Sequence, residues 1–136
     1  MKRLFAAVAG VALLLAVPVV AHHSFSAEFD ATQPITLKGK LTKMDWVNPH
    51  GWLYIDVAQD GKVVNWAIEA GSPNALLRRG WNKKSLPFGI EITVEGFQAK
   101  DGSTRANGRD ITFPDGTRLF VGSSGTGAPE EKPKSR

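Results

Sequence analysis

Apolar residues recur at every second position through most of this chain, the spacing that lines one face of a β-strand rather than one side of a helix. Ile35, Leu37, Gly39 and Leu41 keep one parity, after which the apolar set moves to Met44 and Trp46. A parity change inside one long strand marks a bulge, and bulges bend strands around closed sheets. Leu53, Ile55 and Val57 define a second strand, which Asp60-Gly61 turns tightly into a third carrying Val64, Trp66 and Ile68.

The alternation breaks once. Ser72-Pro73 has the chemistry of an N-cap followed by a first helical residue, Ala75, Leu76 and Leu77 supply an apolar face, and Gly80 is placed to end the helix. Ile90, Ile92 and Val94 then predict a fourth strand and Asp101-Gly102 a turn. Ile111 with Phe113 opens a fifth strand region, which Asp115-Gly116 folds back into Leu119-Phe120-Val121. Three strands, one short helix and two or more strands, with a long bent first strand, predict a mainly β fold, a small OB-like Greek-key barrel. A simple sandwich or an open half-barrel with a helix across one end gives nearly the same reading.

The ends of the chain differ in composition from this middle. Lys2 and Arg3 precede an uncharged apolar stretch from Leu4 to Val20, and Val19-Val20-Ala21 offers small residues for cleavage. That layout predicts a signal peptide over 1–21. The apolar stretch is short for a spanning helix and contains Pro18, so no stable membrane anchor is expected after cleavage. One domain is expected over 22–122 and a disordered tail over 123–136, where Gly, Ser, Pro and charged residues replace large apolar ones. The expected location is periplasmic or secreted.

The full chain has 17 basic and 13 acidic side chains; removing Lys2 and Arg3 lowers the net charge from +4 to +2. Charges of both signs are interspersed, so no nucleic-acid partner is expected. With no cysteine, the chain has no disulfide, thiolate metal site or cysteine nucleophile. No phosphate-cradling loop, nucleophile elbow or paired-carboxylate motif is present either, which argues against an ordinary hydrolase or transferase.

What chemistry remains rests on three histidines. Cleavage after Ala21 places a free α-amine on His22, so that one residue offers an amine and an imidazole nitrogen to a metal. A second imidazole completes a T-shaped set of three nitrogens suited to Cu(II), a histidine brace. His50, in Val47-Asn48-Pro49-His50-Gly51-Trp52, is the histidine distant enough in sequence to close it, and His23 can add a further nitrogen. Copper is therefore the candidate cofactor, with His22, His23 and His50 as candidate ligands. Asp45, Asp56 and Glu69 are carboxylates that sequence leaves as possible neighbours of His50. The leading expectation is a binding module of uncharacterised role without chemistry, in which Trp46, Asn48 and Trp52 form an aromatic end that takes a small ligand or a protein partner; the copper site is the alternative.

Several segments together carry a resemblance. His22-His23-Ser24-Phe25, Glu28-Phe29-Asp30, Trp46 to Trp52 as Trp-x-Asn-Pro-His-x-Trp, and Gly71 to Trp81 as Gly-Ser-Pro-Asn-x-Leu-x-Arg-x-Gly-Trp are followed by Val94-Glu95-Gly96 and Pro114-Asp115-Gly116. In these the chain resembles a family of small exported bacterial proteins of uncharacterised function. The resemblance implies an exported, small β-barrel-like protein and no particular activity.

Overall fold

A computed structural model describes residues 25–122. The expected signal segment 1–21, His22, His23 and the expected tail 123–136 lie outside the described residues. The elements in chain order are α1 (Phe25–Glu28), β1 (Phe29–Asp45), β2 (Trp52–Gln59), β3 (Lys62–Glu69), α2 (Pro73–Arg78), β4 (Glu91–Ala99), β5 (Arg105–Thr112) and β6 (Arg118–Phe120).

The fold is mainly β, and its sheet closes on itself. β1 pairs antiparallel with β2 on one side and β4 on the other, β2 pairs with β3, and β4 pairs with β5. A short parallel pairing of β3 with β5 completes the ring. β6 extends β5 at its far end. This circuit, with a helix between the third and fourth strands, is that of the expected OB-like Greek key.

Local chemistry accounts for the corners. The register of β1 on β2 shifts between Leu41 and Lys43, where the apolar parity changes in the sequence. Asp60 and Gly61 both have positive φ, 50° and 75°, the backbone of a primed two-residue turn that keeps the twist of β2 and β3. Ser72 caps α2 by accepting a hydrogen bond from the Ala75 N–H at 3.2 Å, and Leu76 buries the inner side of the helix completely. Trp81 plugs the structure just after α2 at 3% exposure.

Two elements depart from expectation. β5 begins at Arg105, not Ile111, because pairing with β3 and β4 extends it through Arg105-Ala106-Asn107-Gly108, a stretch with no large apolar alternation to mark a strand in the sequence. α1 was not predicted; it is a single turn whose Phe25 is buried at 4%.

Among the described residues, buried apolar side chains form two clusters. The interior of the ring holds Leu41, Leu53, Ile55, Ile68, Ile92, Val94 and Ile111 with their neighbours. The second cluster is Phe25, Phe29, Phe97 and Ala99. Ile92 and Val94 face inward, so Phe97 and Ala99, on the opposite parity of β4, lie on the outer face of the ring. The start of the described chain therefore packs against the outside of the sheet, where burial of each phenylalanine contributes about 2–3 kcal/mol.

Candidate functional site

Strand register sets up one row of residues across that outer face. Trp52 of β2 stands opposite Glu69 of β3, Glu69 opposite Asn107 of β5, and Asn107 opposite Phe97 of β4. Glu69 and Asn107 are among the few buried polar residues, at 7% and 2% exposure, although neither points into the core. Buried polar groups need partners or a ligand. The Asn107 Oδ1 atom is shielded from solvent and meets no hydrogen-bond donor among the described residues.

His50 joins the row through Glu69. Its Nδ1 lies 3.3 Å from Glu69 Oε1, within ion-pair distance but outside an aligned hydrogen bond. The imidazole side chain is 25% exposed, while its Nδ1 is covered. Of the three carboxylates that the sequence left open, Glu69 is the one that reaches His50.

The loop carrying His50 is held from both sides. Gly51 N–H donates to Gly71 O at 3.0 Å, and Ala70 N–H donates to Gly51 O at 2.8 Å. Gly71 N–H donates in turn to Val121 O at 2.9 Å. A Cβ on Gly51 would sit 3.2 Å from Gly71 O, so a side chain at this position would press on that carbonyl. The Asn-Pro-His-Gly and Gly-Ser-Pro-Asn segments, well separated in sequence, thus form one hydrogen-bonded unit.

α1 is tied to the same face. Lys100 N–H donates to Glu28 O at 2.9 Å, and Lys100 Nζ donates to Ser26 O. Arg105 Nη2 reaches Glu28 Oε2 at 3.3 Å while its guanidinium lies 5.4 Å from the Trp52 ring centroid and 5.9 Å from that of Phe29. Arg105 therefore links the start of the described chain to the residue that stands opposite Glu69.

The aromatic candidates fall in two places. Trp46 lines a cleft of about 300 Å³ with Met44, Asp45, Val47, Lys83 and Phe88. Asp45 there is held by Lys43 at 3.0 Å, and that hydrogen bond raises the lysine pKa. Trp52 is not part of this lining; it belongs to the outer row under Arg105. Asn48 is exposed in the loop, and the Asn48–Pro49 peptide is cis. His22 and His23 lie outside the described residues. Among the described residues no three His, Asp or Glu side chains gather into one metal-sized group, and no helix is long and apolar enough to cross a membrane.

Sequence reasoning missed Asn107 and Arg105. Both sit in a polar, glycine-containing stretch that has no strand period, and only the pairing of β5 with β3 and β4 gives them their neighbours.

Fold and site define a small mainly β protein of OB-like topology with a polar row on the outside of its ring. The chain belongs to DUF6152, a family of unknown function whose model matches residues 11–108. This agrees with the resemblance to an uncharacterised family. No curated protein matches the sequence.

Proposed function

We propose that the protein is an extracytoplasmic binding module whose ligand is a transition-metal ion, Cu(II) by preference, held between His50 and the processed N-terminus. The observation that carries this reading is the contact of His50 Nδ1 with the buried Glu69 carboxylate at 3.3 Å, on the face where the described chain begins. A carboxylate against one imidazole nitrogen orients the ring and raises the basicity of the other, the usual arrangement behind a metal-ligating histidine. Nε2 is then the metal-facing atom.

Reach supports the remaining ligands. The Phe25 ring is 5.5 Å from that of Phe97, and Phe97 is two pairings from Glu69 across β5. Two strand spacings are about 10 Å, and the three residues from Phe25 back to His22 extend at most ~11 Å. In this reading His22 and His23, with the amine freed by cleavage after Ala21, approach His50 across that span. Two nitrogens from His22 and one from His50 make the T-shaped set that Cu(II) prefers.

The test is a Cu(II) competition titration of the chain starting at His22, made by export so that its amine is free. Sub-micromolar affinity that is lost in His50→Ala and in a variant with Gly added before His22 supports the reading. Weak binding indifferent to both changes rejects it.

A second reading follows from the cleft at Trp46. Its apolar walls and the Lys83 ammonium suit a small planar ligand with one negative charge. Quenching of Trp46 fluorescence by aromatic carboxylates, removed by Lys83→Gln and without any effect of copper, favours that reading instead.

A further inference from the structure

We infer that the end of the ring carrying Phe88 and Val47 docks reversibly on an anionic phospholipid surface, with these two side chains entering the headgroup layer and Lys83 and Lys84 meeting its phosphates. The inference does not depend on copper or on a small ligand in the cleft.

Phe88 is 68% exposed and Val47 50%, and both line the cleft beside Trp46 and Met44. Apolar residues scattered singly over a surface call for no explanation, whereas four that adjoin at one end form a patch. The chain holds Phe88 out in a fixed place. Leu86, two residues before it, is buried at 3%, and Gly89 turns the chain back with a φ of 83°. Gly89 N–H donates to Leu41 O at 2.7 Å and Leu41 N–H to Ile90 O at 2.9 Å, which ties this tip to β1.

The charge around the tip selects the occupant. Lys83 lines the cleft, and Lys84 follows it in an exposed turn where Lys84 N–H donates to Asn82 Oδ1 at 2.8 Å. Asp45 in the cleft wall and Glu91 at the start of β4 are already paired, with Lys43 and Lys38, each at 3.0 Å. A second copy of the chain is disfavoured by the same charges, because a two-fold contact sets a patch against itself and would bring Lys83 to face Lys83. A flat protein partner fits poorly, since two protruding side chains bury far less than the roughly 1,200 Å² of a stable interface. A phospholipid layer yields around a protruding ring and offers phosphates to the lysines, each worth about fivefold in affinity near an anionic surface. Apolar insertion combined with basic contacts holds a protein at the interface without a spanning segment.

The experiment uses the chain beginning at His22, because the apolar stretch from Leu4 to Val20 would bind lipid by itself. It is sedimented with vesicles of equal parts phosphatidylglycerol and phosphatidylcholine, and with vesicles of phosphatidylcholine alone. Binding is expected to the mixed vesicles, weakening as salt is raised, with little on phosphatidylcholine. Phe88→Ser is expected to lower affinity about 10-fold, and Lys83→Gln combined with Lys84→Gln about 25-fold. Melting temperatures should be unchanged, because all three side chains lie in solvent. Val63→Ser is the control. Val63 is 71% exposed, but β2 runs from Trp52, paired with Asp45 of the cleft wall, to the Asp60-Gly61 turn beside Val63, which puts Val63 at the far end of the ring. Its loss should leave binding unchanged. Phe88→Trp should add fluorescence that bromine on the acyl chains quenches, and Val63→Trp should not. No binding to the mixed vesicles, or binding that Phe88→Ser leaves intact, overturns the inference. So does a dimer that forms without lipid and is dissolved by Phe88→Ser, which would make the occupant a second copy.

Discussion

The ring of Phe25 meets that of Phe97 edge-on, with centroids 5.5 Å apart and planes at 86°. This contact lies outside the ring of strands, so it is the anchor of the N-terminal segment rather than part of the main core. Phe97→Ala is expected to lower stability by about 3–4 kcal/mol. It should also weaken Cu(II) more than an interior truncation of similar cost, such as Ile92→Ala. Thermal melts with copper titrations on the surviving fold distinguish the two.

Glu69→Gln removes the charge beside His50 while keeping side-chain shape. The expected result is a fall in Cu(II) affinity of about 10-fold or more, with far-UV circular dichroism unchanged. Affinity equal to the wild type would mean that Glu69 has no part in orienting the imidazole.

Arg105→Ala severs the link between Glu28 and Trp52. The ion pair is partly exposed and the ring contact modest, so global stability should drop by only about 1 kcal/mol. Amide exchange across Phe25–Glu28 should nevertheless accelerate relative to the strands, as measured by hydrogen–deuterium exchange mass spectrometry.

Gly96 and Gly102 provide a contrast of physical causes. A Cβ at Gly96 would lie 2.0 Å from Asn107 O, a backbone atom on the paired strand. Gly102 has open space around it but a φ of 73°. Gly96→Ala should therefore break the β4–β5 pairing and prevent stable folding, whereas Gly102→Ala should cost about 1 kcal/mol. Urea melts of the two variants check the difference.

Three exposed aspartates should titrate low. The Thr117 backbone N–H holds Asp115 at 2.8 Å and lowers its pKa; Ser103 does the same for Asp101 and the Thr32 hydroxyl for Asp30. Each favours the ionised form in the folded state. Their contribution to stability is present above the ordinary aspartate range and is lost as pH falls through the lower folded values. NMR titration should place all three midpoints below that of an unstructured aspartate, and Asp115→Asn should make the acid limb of the stability curve less steep.

What can be read locally was legible in the sequence. The Asp60-Gly61 turn, the Ser72 cap, the end of α2 at Gly80 and the parity change after Leu41 each depend on a few adjacent residues, and each has its structural counterpart. These local signals, with the order of elements, are enough to define a mainly β ring carrying one helix. Tertiary pairing decided the rest. Trp52, Glu69, Asn107 and Phe97 come from four strands and become neighbours only when β3 meets β5 and the ring closes. Sequence periodicity reports which face a residue occupies along its own strand. It carries no register between strands distant in the chain, and that register is what sets a buried asparagine between Glu69, which contacts His50, and the outer phenylalanine pair.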